Sequence, residues 1–104
     1  MAEKEQMLTI EHYQSLLDVL WEIRAEYNKI GTKLGLSPDD VKAIEKSNYY
    51  QVDECFAEVL ATVLNLKALS KEELVIALES KVVDRKKLAN VVRRTVFLTG
   101  TTIL

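Results

Sequence analysis

Glycine, proline and cysteine are all scarce in this chain: three, one and one in 104 residues. So few glycines and a lone proline leave little material for the hairpin turns a β-fold would need. One cysteine, Cys55, rules out an internal disulfide and suits a reducing compartment. One histidine, His12, cannot assemble a metal-ligand set by itself, and no sequence motif pairs it with a catalytic partner. No apolar run approaches the ~20 residues needed to span a bilayer, and the charged start Met1-Ala-Glu-Lys-Glu-Gln has no apolar signal core behind it. A net charge of −2 gives no attraction toward nucleic acid or an anionic membrane surface. The composition therefore predicts one soluble cytoplasmic domain with no cofactor, binding neither nucleic acid nor membrane.

Helical spacing fills most of the chain. Leu16, Leu20, Ile23, Tyr27, Ile30 and Leu34 step by fours and threes, an apolar stripe on a long helical segment that Thr9 caps. A single helix over 10–34 is long for a small domain, so a bend is expected between Trp21 and Arg24. Gly35 is placed to end the segment in the left-handed conformation. Ser37, Pro38, Asp39 and Asp40 then supply the cap, first turn and dipole-compensating acids of a helix from about Pro38 to Ser47, burying Val41 and Ile44.

Asn48 to Gln51 reads as a turn, with room for a loose helical turn of its own. Val52, Cys55, Phe56, Val59, Leu60, Val63 and Leu64 mark the next helix at ideal spacing. Ser70 and Glu73 form a capping-box pair that opens a helix burying Leu74, Ala77 and Leu78. Val82-Val83 is a short loop, and Asp84 caps a last helix with Leu88, Val91 and Val92 inward. The whole reads as an all-α, six-helix domain over residues 10–98, with a flexible segment 1–9 before it and a frayed tail 99–104 after it.

Nothing in this pattern composes an active site. Cys55 lies on a core stripe, where a thiol packs as a small hydrophobe. The acidic pairs Asp39-Asp40, Asp53-Glu54 and Glu72-Glu73 all fall in first turns, where the helix dipole accounts for them. The informative surface features are different. Arg85, Lys86, Lys87, Arg93 and Arg94 form a basic end, whereas Asp53, Glu54 and Glu58 form an acidic patch. One copy's basic end can therefore meet another's acids. Tyr49 and Tyr50 place two aromatics in a polar turn, the residue type that interfaces favour. Thr102-Ile103-Leu104 fits the strand-addition pattern of a PDZ ligand, which gives the competing reading: a helical scaffold or targeting module that docks through its tail.

The order of these fragments resembles a death domain of the death-fold superfamily. Tyr27-x-x-Ile30-Gly31-x-x-Leu34-Gly35-Leu36 and Val41-x-x-Ile44 are followed by Asp53-Glu54-Cys55-Phe56 and Val59-Leu60. Leu74-x-x-Ala77-Leu78 and Leu88-Ala89 complete the set, which covers residues 14 to 94. Three departures keep the related death-effector and caspase-recruitment branches open. Tyr27 stands where the family usually has tryptophan, the tryptophan late in the fourth helix is missing, and no proline precedes Glu22.

The resemblance implies a six-helix antiparallel bundle with Greek-key topology. It further implies a non-enzymatic adaptor in apoptotic or innate-immune-type signalling. Such modules associate with copies of themselves or with similar domains, as closed oligomers or helical filaments, and the charged contacts make that association salt-dependent. By position, one family patch would use Asp39, Asp40, Lys42, Glu45 and Lys46 against Glu26, Lys29, Asp53 and Glu58 of a neighbour. A second would set Lys67 against Val82, Val83, Asp84 and Arg85, with Lys86 adjoining. A third would centre on Tyr49 and Tyr50.

Overall fold

The computed structural model describes residues 7–97, and these are mostly helical, as the periodicity predicts. A short strand β1 (Met7–Leu8) leads into a 3₁₀ turn (Ile10–His12) and helix α1 (Tyr13–Leu20). A 3₁₀ segment (Trp21–Glu26) connects to α2 (Tyr27–Lys33), followed by α3 (Pro38–Ser47) and α4 (Val52–Leu66). Strand β2 (Leu69–Ser70), α5 (Lys71–Glu79) and α6 (Lys86–Arg94) complete the order.

Helix α4 is the centre of the packing. Cys55, Phe56, Val59, Leu60, Val63 and Leu64 are all buried on it. Leu16, Leu20 and Ile23 join them in the core from α1 and the 3₁₀ segment, as do Ile30 and Leu34 from the α2 arm. Gly31 sets the closest approach: a Cβ there would lie 2.9 Å from Val59 Cγ1 and 3.3 Å from Leu36 Cδ1. No side chain fits between α2 and α4 at that point. Helices α5 and α6 pack together through Leu74, Val75, Leu78, Leu88, Ala89 and Val92.

The caps predicted at Thr9, Ser37 and Ser70 form. Ser37 accepts from the Asp40 backbone N–H (3.1 Å) while Asp40 accepts from the Ser37 N–H (3.2 Å). Ser70 and Glu73 exchange the same pair at 3.0 and 3.2 Å. Thr9 caps the first turn, and its backbone N–H donates to His12 Nδ1 at 3.0 Å, so the only histidine serves as half of a capping box. The expected bend is also present: Trp21–Glu26 winds as 3₁₀, with Ile23 outside helical geometry (φ −109°, ψ 22°). No proline causes it. The anchors are Ile23, buried in the core, and Trp21, whose ring meets Phe56 of α4 edge-on with centroids 6.1 Å apart.

Several expectations are corrected. Residues 7–9 are not a flexible segment: Met7 and Leu8 pair antiparallel with Ser70 and Leu69, and Leu8 is fully buried. The turn expected at 48–51 is present at residues 48–50, without a helical turn of its own. Asp84 does not cap α6; its own backbone is left-handed (φ 53°), and Arg85 stands at the cap position without a side-chain bond. Val52 and Val91, both expected in the core, are 40% and 39% exposed, while Ala89 takes the buried place on α6. Val83, assigned to a contact loop, is buried. The expected flexible residues 1–6, the bundle's last residue 98 and the frayed tail 99–104, with its Thr102-Ile103-Leu104 motif, lie outside the described residues.

Candidate protein-interaction surface

Helices α2 and α3 end in the same hydrogen-bond pattern. After α2, Leu36 N–H donates to the Gly31 carbonyl (2.9 Å) and Gly35 N–H to the Thr32 carbonyl (3.2 Å). After α3, Tyr50 N–H donates to the Glu45 carbonyl (2.8 Å) and Tyr49 N–H to the Lys46 carbonyl (3.3 Å). This is the Schellman motif, whose penultimate residue must be left-handed and is usually glycine. Gly35 fills that place after α2 with φ 113°. Tyr49 fills it after α3 with φ 52°, and Tyr50 follows with φ 59°. A left-handed backbone costs a residue with a Cβ about 1–2 kcal/mol. The turn carries this cost twice and holds both rings in solvent, Tyr49 83% exposed and Tyr50 60%.

The charges expected at contacts divide into two groups. Seven are engaged within the molecule. Asp40 closes its capping box, and Glu45 accepts from the Tyr27 hydroxyl at 2.6 Å. Asp53 pairs with Arg24 at 2.7 Å, and Glu58 accepts from the Asn48 side-chain amide at 2.7 Å. Lys67 pairs with Glu73 at 3.0 Å and holds that carboxyl below the usual carboxylate range. Arg85 pairs with Glu26, which is therefore not an outward contact. The other six, Lys29, Asp39, Lys42, Lys46, Asp84 and Lys86, are exposed and have no side-chain partner among the described residues. The basic end is thinner than the sequence implies, since Arg93 also pairs internally, with Glu79 at 3.0 Å.

Around the engaged charges the packing is specific. Burial pushes the Tyr27 phenol well above its ordinary pKa, and the Glu45 carboxylate adds to the effect because it favours a neutral donor. Burial likewise pushes the Cys55 thiol up. Arg24 lies over the Trp21 ring, 4.8 Å from its centroid, so Asp53, Arg24 and Trp21 form one continuous edge beside the start of α4.

Three surface features were not foreseen from the sequence: one groove and the exposed Leu66 and Ile76. A groove of about 490 Å³ between α2 and α3 has Val41, Pro38 and Val82 along it and Lys29, Lys33 and Lys42 among its lining. Leu66 and Ile76 are 65% and 59% exposed. Leu66 stands on the α4 stripe by spacing, three residues after Val63, so periodicity gives no sign that the helix end leaves it exposed. Ile76 sits within Leu74-Val75-Ile76-Ala77-Leu78, where a continuous apolar run hides which residue faces out.

Among the described residues, no three His, Cys, Asp or Glu side chains converge as a metal site, and no helix is long and apolar enough to cross a membrane. The chain matches no protein-family model, no curated protein and no solved structure.

Proposed function

We propose that this domain is a non-enzymatic adaptor of the death-fold type, a six-helix antiparallel bundle of Greek-key topology. In this reading it associates with copies of itself or with a similar domain in cytoplasmic signalling. The observation that carries the reading is the Tyr49–Tyr50 turn. A monomer with no other use for that turn is better served by Gly or Asn at the left-handed positions. Two tyrosines there put large, rigid, amphipathic rings where a partner can cover them. The unpartnered charges Asp39, Lys42 and Lys46 share the preceding helix, which suits an aromatic anchor with a polar rim.

The rim makes the association salt-sensitive, because exposed charges are screened beyond about 8–10 Å at ordinary ionic strength. Light scattering across a salt series tests this directly on the wild type and on Lys42→Glu/Lys46→Glu. Association that weakens with salt and falls in the variant supports the reading. A wild-type domain that stays monomeric at high concentration in low salt, and binds no similar domain, contradicts it. Arg85→Glu is a poor probe, since it also breaks the pair with Glu26; Lys86→Glu tests the basic end without that loss.

A further inference from the structure

We propose that the Tyr49–Tyr50 turn is a modification site for a protein tyrosine kinase, and that a phosphoryl group placed there opposes association through this face. The second half rests on the adaptor reading above; the first half does not.

The fold sorts the four tyrosines of the chain into two classes. Tyr13 and Tyr27 are half-buried and pack against the core. The Tyr27 hydroxyl is committed to Glu45 at 2.6 Å, and burial pushes the Tyr13 phenol above its ordinary pKa. Tyr49 and Tyr50 are the exposed class, and neither hydroxyl has a partner among the described residues. A kinase must draw its acceptor into a cleft, so the acceptor's backbone has to yield. Tyr27 begins α2, and Tyr13 begins α1 behind a capped turn. Tyr49 and Tyr50 lie in a turn whose bonds are those of a helix end, and its two left-handed residues relax on opening.

Local charge points the same way. Tyr50, Gln51, Val52, Asp53 and Glu54 line one shallow hollow of about 390 Å³, so acceptor, apolar residue and carboxylates are presented together. Carboxylates just after the acceptor complement a cationic substrate cleft. In the transfer, the phenolic oxygen attacks the γ-phosphorus of a nucleoside triphosphate. A new O–P bond forms as the bond from that phosphorus to the β,γ-bridging oxygen breaks. The phenolic proton passes to the kinase's base, and nucleoside diphosphate leaves.

The product carries about −1.5 to −2 at neutral pH. Lys46 is the one basic residue between positions 44 and 54, against Glu45, Asp53 and Glu54, and Asp53 already holds Arg24. No cluster of arginines stands there among the described residues to capture the phosphate, so the added charge repels rather than docks. It also replaces a ring tip that an interface can desolvate with a group that it cannot.

The test is to treat the folded domain with a panel of active tyrosine-kinase domains and magnesium-ATP, map the phosphorylated residues by mass spectrometry, and run sedimentation on the purified product. The proposal expects phosphate on Tyr49, Tyr50 or both, none on Tyr13 or Tyr27, an unchanged melting temperature and self-association weakened by about tenfold or more. Tyr49→Phe/Tyr50→Phe should abolish the labelling. Comparable labelling of Tyr13 or Tyr27, or no labelling of the turn by any kinase in the panel, overturns the site. Labelling that leaves association unchanged overturns the switch. If unmodified protein is monomeric throughout, the adaptor reading fails, while the labelling pattern still decides the site.

Discussion

Gly35 and Tyr49 occupy the same left-handed position in two copies of one helix-ending motif, after α2 and after α3. They differ in what they contribute. A Cβ at Gly35 would meet nothing within 4 Å, so glycine is needed there only for its backbone. Gly35→Ala should therefore destabilise the fold by about 1 kcal/mol, with no packing component. Urea unfolding measures this as a lower midpoint at unchanged slope.

At Gly31 the reason for glycine is space. Gly31→Ala would gain about 1 kcal/mol of helix propensity but drive its methyl into Val59. The expected net effect is a loss of about 1–2 kcal/mol. The cost should shrink in a Val59→Ala background, giving a coupling energy of at least about 0.5 kcal/mol in a double-mutant cycle. Strict additivity would mean that α2 and α4 are not in contact at this point.

The hydrogen bond from Tyr27 to Glu45 ties α2 to α3 across the Gly35 turn. Tyr27→Phe should cost about 1.5–3 kcal/mol, the usual range for a bond to a charged group. The folded-state pKa of this phenol is raised, so its contribution is fully present below the unfolded value of about 10 and is lost as pH climbs above it. Stability measured between pH 8 and 11, a window set by that unfolded value of about 10, should therefore fall more steeply in the wild type than in Tyr27→Phe.

Much of the fold was legible because it depends on local rules. Ser37 and Ser70 cap where a hydroxyl and a carboxylate stand three residues apart, Thr9 caps through its hydroxyl and His12, and Gly35 is recognisable because glycine is the usual left-handed residue. The 3₁₀ bend was visible only as an overlong stripe, since its anchors, Ile23 and Trp21 against Phe56, are tertiary. The pairing of Met7–Leu8 with Leu69–Ser70 spans sixty residues of sequence and leaves no periodic trace in two-residue strands. Of the interface residues, the tyrosines could be named from the sequence, but their backbone could not, because tyrosine carries no left-handed preference. The contact charges were the least legible. Internal partners such as Glu26 for Arg85 and Arg24 for Asp53 lie 59 and 29 residues away.

The central claim is that the tyrosine turn gives up stability for contact. The most direct measurement is sedimentation velocity combined with urea unfolding on Tyr49→Asn/Tyr50→Asn. Asparagine tolerates the left-handed region, so the variant should be as stable as the wild type or up to about 1 kcal/mol more so. The account predicts a variant that is monomeric where the wild type associates. A variant that assembles as the wild type does, or one that loses stability, would contradict it.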